Sequence, residues 1–375
     1  MTVPRLRAYD TAVDVLQARA LRGIAAGLGL FLACLLAPAA PAVAGTSSWD
    51  VGDQAVVRVF VRGKGNSVDV RVWDRPTVQI EFADYATPVI ERSSVPFGTL
   101  RNPLSQQVPA QLYSAHDNTG LAGIGQTLPP EEFPYQGFRP GVHDIVRVMA
   151  VQGSHLIVMI PASTGVLDLR VGGGQTTIEG YRGANLYVLQ GTGRVQLDGA
   201  TTTAFVQLNY GVFFASDGSF DRIRVRGIGA HDVFEHCRSK QIEASSISGT
   251  IVYDGGSFDP GLARFESQTG NIALGVTSSA QLMGRSDTGH VYTMFDQRGG
   301  TSVDQHAEGD ATASIGSGGP LVNALSTHGN VFLYDGTMSS RRSVAPEWKP
   351  VHQLFSARRR PANIPPEPGR PRPRD

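Results

Sequence analysis

The stretch HDVFEHC, His231 to Cys237, places two imidazoles, two carboxylates and a thiol within seven residues. These are the ligand types that zinc or copper takes when three or four of them converge. In an extended strand side chains alternate, so His231, Val233, Glu235 and Cys237 share one face while Asp232 and His236 share the other. His231, Glu235 and Cys237 are therefore the metal-ligand candidates. The competing expectation is a core histidine hydrogen-bonded to a turn, and no cofactor is expected.

Other stretches suggest other chemistry. GSGGP, Gly316 to Pro320, is similar to the nucleophile loop of chymotrypsin-like proteases, and SAHD, Ser114 to Asp117, offers a histidine. A catalytic triad is defined by geometry, however, and Gly316 stands where that loop carries aspartate. Ser317 reads as a turn residue. Glu179, Asp198, Asp254 and Asp335 recur at one offset from regularly placed glycines and could form a carboxylate ladder for calcium. The nine-residue calcium repeat is absent, and turn chemistry explains the acids without a metal. No carboxylate pair of the kind a glycosidase needs can be picked out. Tyr210, Phe214, Tyr292 and Phe332 fall on outward positions of the expected strands. They are the binding candidates, a stacking stripe for sugar or protein unless a loop covers them.

The elements that would position these residues follow from a repeat. Gly174, Gly193, Gly211, Gly229, Gly249, Gly270, Gly289, Gly309 and Gly329 are spaced 18 to 21 residues apart. Two residues after the glycines stand Thr176, Val195, Phe213, His231, Ile251, Ile272, Val291, Ala311 and Val331. Four residues after, the side chains are again mostly apolar. Alternation over four or five residues marks a short half-buried strand. A second alternation precedes several glycines, and Asp-Gly pairs such as Asp198-Gly199 and Asp254-Gly255 supply turns. Each repeat of ~20 residues thus holds two strands and two turns, the pattern of a β-solenoid. SISGTIVYDGG (Ser246 to Gly256) and STHGNVFLYDG (Ser326 to Gly336) are nearly one phrase written twice.

Composition agrees with this all-β expectation. The 375 residues include 44 glycines, and only 18% are charged. Net charge is zero but unevenly spread: +2 over 1–44, +6 over 341–375 and −8 between. The N-terminal arginines, the apolar run Gly23 to Ala37 and the small residues Ala42 and Ala44 predict an export signal ending at Ala44. An uncleaved anchor is the alternative, and Cys34 makes a poor lipidation site. Removal of the signal leaves Cys237 as the sole cysteine, so no internal disulfide is expected. The expected organisation is signal peptide 1–44, N-terminal β cap 45–82, Pro-rich insertion 83–142, β-solenoid repeats 143–340 and a basic, Pro-rich disordered tail 341–375.

GNSVDVRVWDRPTVQIEF, LIVMIPASTGVLDLRVGGGQTTIEG, LQGTGRVQLDG, SSISGTIVYDGG and SQTGNIALG together resemble the bacterial "putative adhesin" β-strand-repeat domains. The resemblance spans roughly 54–82 and 145–336. It implies a β-solenoid in the cell envelope and brings no catalytic residues. The expectation is a non-enzymatic exported protein of the periplasm, cell surface or medium: an adhesin or a binding or scaffold module. Its expected partners are envelope glycans or another envelope protein, with an anionic polymer at the arginine-rich tail. No helical DNA-binding motif or phosphate loop is present, so no nucleic acid is expected. The alternatives are a polysaccharide-active enzyme on the same fold and a membrane-anchored sensor or assembly partner.

Overall fold

The computed structural model describes residues 45–83, 87–96, 141–295 and 301–336, all within one compact unit. They form 21 strands and no helix, joined in one hydrogen-bonded sheet system, so the all-β expectation holds. The chain begins with β1 (Gly45–Asp50), β2 (Val56–Val61), β3 (Asn66–Trp73), β4 (Thr77–Phe82) and β5 (Val89–Pro96). Next, β6 (Val142–Ala150) and β7 (His155–Pro161) lead into four long strands: β8 (Val166–Glu179), β9 (Asn185–Asp198), β10 (Thr201–Ser216) and β11 (Ser219–Glu235). Shorter strands follow: β12 (Arg238–Ser246), β13 (Ile251–Phe258), β14 (Ala263–Ser267), β15 (Ile272–Val276), β16 (Ala280–Ser286) and β17 (Val291–Met294). The last four are β18 (Ser302–Ala307), β19 (Asp310–Ile315), β20 (Leu321–Ser326) and β21 (Val331–Asp335). The expected export signal and basic tail lie outside the described residues, as does most of the 83–142 insertion.

Two parallel ladders run through the molecule. The first passes from β6 through β2, the leading halves of β8 to β11, then β12, β14, β20 and β16. The second passes from β7 through β3, the trailing halves of the long strands, then β13, β15, β21 and β17. One continuous apolar core draws on both ladders. The long strands change ladder at glycines. Gly174, Gly193 and Gly211 pair in register, with φ of 136°, 110° and 131°, a region that side chains with a Cβ disfavour. An added Cβ at Gly211 would collide with the Gly193 carbonyl oxygen, which is backbone and cannot swing aside. We therefore expect Gly211→Ala to lower stability by about 2–4 kcal/mol, read as a reduced urea midpoint, while the exposed Gly65→Ala, with open space at its Cβ, costs less.

The register also corrects the repeat count. Gly211 pairs with Ala230, not with Gly229, because β11 carries an extra residue where the ladder shifts between Thr202 and Thr203. The interior column therefore reads Val68, Thr176, Val195, Phe213, Asp232, Ile251, Ile272, Val331 and Val291. Asp232, not His231, occupies the inward position. An aromatic cluster lies beside it, with Phe213 against Phe234 at 5.4 Å and Tyr253 stacked on Phe258 at 4.5 Å.

Spatial order departs from chain order at both ends. β20 and β21, late in the chain, lie between β14–β15 and β16–β17. β2 and β3, early in the chain, lie between β6–β7 and β8. The segment around Gly309 is not a parallel repeat: β18 and β19 pair antiparallel with each other, and β19 pairs antiparallel with β16. At the opposite end β1–β4–β7 and β5–β6 are antiparallel. Antiparallel strands that occupy the ends of a parallel ladder cover the edge groups of the repeats behind them. The two near-identical phrases occupy equivalent positions two ladder steps apart, with β14 and β15 between them.

Candidate binding groove

Four serines line up where the first ladder turns toward the second: Ser246, Ser267, Ser326 and Ser286, in register. In each case the amide of the glycine three residues on donates to the serine Oγ, at 2.8, 2.9, 2.9 and 2.8 Å. Each hydroxyl then donates to a backbone carbonyl of an adjacent repeat: Ala230 (3.2 Å), Gly249 (3.1 Å), Gly270 (3.0 Å) and Gly329 (2.7 Å). All four serines are buried. A buried hydroxyl that both donates and accepts escapes the cost of desolvation and ties one repeat to the next. The spacing Ser-x-x-Gly, written four times, was the available sequence signal for this device, and attention to the glycines alone misses it.

Outside this column lies an open groove of about 540 Å³ that crosses four repeats. Its strand wall is the outward row Ser245, Glu266, Leu325 and Arg285, which pair in register across β12, β14, β20 and β16. Its turn wall carries Ile247, Gln268, Thr327 and Asp287. Beyond it the hydroxyls of Ser248, Thr269 and Thr288 bond to carbonyls of the adjoining turns. Glu266 is engaged by Arg264, and Arg285 lies 3.5 Å from Asp287. The wall thus offers amide, hydroxyl, carboxylate and guanidinium groups, interrupted by Leu325 in the strand row and by the exposed Ile247 in the turn row. Such a surface satisfies the hydroxyls of a neutral, extended polar ligand better than it accommodates an apolar one.

The sequence candidates lie elsewhere. His231 is half-buried, and its Nδ1 accepts the Thr250 amide at 3.2 Å; burial holds its pKa below the usual imidazole value. Glu235 is buried on the outward side of β11, whereas Cys237 belongs to the interior core. Among the described residues no three histidine, cysteine or acidic side chains come together as a metal would require. The Cys237 Sγ lies 3.6 Å from Ala215 O, and burial pushes its thiol up to about 12. At pH 8 only about one thiol in ten thousand would ionise. Iodoacetamide should therefore leave the Cys237 peptide unlabelled in the native protein and label it in urea; rapid native labelling would contradict this packing.

Ser317 is exposed in the turn after β19, and Ser114 and Asp117 lie outside the described residues. The carboxylate ladder that calcium would have needed is interrupted. Its column reads Glu179, Asp198, Ser216, Glu235, Asp254, Gly275 and Tyr334, while Asp335 pairs one position later with Val276. Ser216 bonds to Asp198, and Tyr334 donates to Asp254 at 3.1 Å. Of the four aromatic candidates, Tyr210 is 53% exposed and Tyr292 37%, but Phe214 and Phe332 are buried at 3% and 2%. Tyr292 stacks on Phe332 with centroids 5.1 Å apart. The four do not form one open stripe.

No family model and no curated protein matches the chain. Among solved structures, a protein described as a "putative cell adhesion protein" from Clostridium sporogenes aligns over 78% of this chain and 99% of its own. Identity is 8% and the TM-score 0.23, a likeness too slight to carry an argument about fold or function.

Proposed function

We propose that this is a non-enzymatic, exported envelope protein whose two ladders wind as a β-solenoid and whose polar groove holds an extended glycan. The observation that carries the reading is the groove across β12, β14, β20 and β16, whose strand and turn rows each present three polar groups and one apolar side chain at ladder spacing. Strands ~4.8 Å apart present those groups at a repeat close to that of a sugar unit, so successive rings of a chain can each meet a side chain of the wall. The buried serine column beneath fixes the backbone and so preorganises the wall. Export follows from the N-terminal sequence, and adhesion or scaffolding would be the use made of such binding.

Calorimetric titration of the full chain with a panel of neutral and acidic oligosaccharides tests the proposal. Gln268→Ala and Arg285→Ala should each weaken binding about tenfold, or ~1.4 kcal/mol, without changing the far-UV spectrum. Oligosaccharide binding that neither substitution affects would move the site away from this groove. Bond cleavage during the titration would favour the polysaccharide-active alternative.

A further inference from the structure

The turn wall of the groove does not stop at Ile247. Gly227, which also lines the groove, pairs with Ser246, so Ile228 stands one ladder step before Ile247. Both isoleucines are exposed, at 39% and 46%. The next row outward is fixed by backbone bonds: the amides of Ser248 and Thr269 donate to the carbonyls of Ile228 and Ile247 at 2.8 and 2.9 Å. Followed back from Ser248, that row passes through Gly229 to Tyr210, which pairs with Gly229 and is 53% exposed. A Cβ at position 229 would meet Tyr210 Cδ1 at 2.9 Å and the Ser248 hydroxyl oxygen at 3.3 Å. The missing side chain at Gly229 therefore seats one edge of the tyrosine ring on the turn backbone, beside Ser248. Tyr210, Ile228 and Ile247 thus lie on three consecutive turns at one end of the groove, and all three are open to solvent. Single exposed apolar side chains are ordinary on a surface, but a contiguous run that continues a groove is a mark of binding.

We infer that Tyr210, with Ile228 and Ile247, is an apolar platform on which sugar rings of the groove's glycan stack, and that the glycan is a neutral, β-1,4-linked chain. The inference rests on the glycan reading above and narrows it. Pyranose rings with equatorial hydroxyls carry their polar groups at the rim and expose C–H bonds on both faces. The weakly positive hydrogens of such a face suit the negative face of a tyrosine ring, and the rim hydroxyls suit Gln268 and Thr327 further along. A β-1,4 linkage keeps these faces exposed along a straight chain, as a row of turns at ladder spacing requires. Glu266 is already engaged by Arg264, and Arg285 lies beside Asp287, so the groove asks for no charge on the ligand. Tyr210 lies two ladder steps, about 10 Å, before the Ile247 turn. A chain that fills the groove therefore needs roughly two further units to reach the tyrosine.

The test is calorimetric titration of the full chain with β-1,4-linked oligomers of glucose and of N-acetylglucosamine, each of four and of six units. In one of the two series the six-unit chain should bind about tenfold more tightly than the four-unit chain. Tyr210→Ala should abolish that gain without changing the far-UV spectrum, since the side chain is exposed, and Tyr210→Phe should keep it, because the ring and not the hydroxyl makes the contact. Loss of the gain in the phenylalanine variant as well would assign the contact to the hydroxyl and overturn the platform. Binding that Gln268→Ala weakens and Tyr210→Ala leaves unchanged would overturn the platform while the groove reading stands. No binding of either series overturns the inference, and the wider oligosaccharide panel then decides the groove reading separately.

Discussion

Asp168→Ala should destabilise the protein by about 3–5 kcal/mol, the loss expected when one partner of a buried ion pair is removed. Asp168 is 0% exposed and lies on the outward face of the first ladder, directly opposite Arg58 in the β2–β8 register. Its carboxylate is 3.2 Å from Arg170 Nε and 3.9 Å from Arg58 Nε. Both guanidinium groups are nearly enclosed, and Arg170 also lies over the Phe60 ring at 5.4 Å. Truncation would remove a carboxylate that two nearly enclosed cations share, so less of their desolvation would be compensated. Asp168→Asn, which keeps the shape and one acceptor, should cost less than alanine. Arg238 and Asp259 provide the contrast. They approach to 2.8 Å but remain largely in solvent, so Arg238→Ala should leave the urea midpoint close to that of the parent. Equal midpoints for Asp168→Ala and the parent would show that the buried cluster is not a stability determinant.

The second large effect concerns Asp232 and has the opposite sign. Asp232 stands in the interior column between Phe213 and Ile251 at 0% exposure. Its amide donates to Thr250 O at 2.9 Å, but among the described residues neither carboxyl oxygen has a hydrogen-bond partner. Burial alone pushes its pKa well above the ordinary aspartate value. Between the unfolded pKa, about 3.9, and this raised value, the folded chain holds a proton that the unfolded chain has released. Stability from this group is therefore complete below pH ~4 and falls as pH rises, by about 1.4 kcal/mol per unit, until the folded-state group ionises. Asp232→Val should remove that slope and raise stability near neutrality by about 2–4 kcal/mol, because an unsatisfied polar group gives way to an apolar one. Asp232→Asn should flatten the slope without the full gain. Urea midpoints at four values between pH 5 and pH 8 provide the measurement. A parent and valine variant with the same pH dependence would show that Asp232 is not held protonated.

The two outliers among the interior and outward columns, Asp232 and Asp168, illustrate what could be read in advance. The interior positions Val195, Ile251, Ile272 and Val331 were legible because alternation and glycine spacing state them locally. Asp232 was not. Counting from Gly229 puts His231 inward. Ile223 and Val225, one residue off the spacing seen before the other glycines, do signal a bulge, but only the pairing of Gly211 with Ala230 shows that Asp232 turns inward after it. The partner strand decides. The serine column lay in plain view as Ser-x-x-Gly, yet its role requires carbonyls 16 to 56 residues away.

By itself the sequence determined the all-β class, the alternating strands and the ladder-changing glycines Gly174, Gly193 and Gly211, though not the misplaced Gly229 and Gly309. Those are properties of local backbone preference and period-two burial, which neighbouring residues encode. The order of the strands in space was decided by tertiary structure alone: β20–β21 between β14–β15 and β16–β17, β2–β3 between β6–β7 and β8, and antiparallel strands at both ends. Parallel repeats of similar sequence offer each other almost interchangeable edges. Which edge is taken depends on long-range hydrogen bonding and on what covers the last strand, and both are set only when the whole chain is packed.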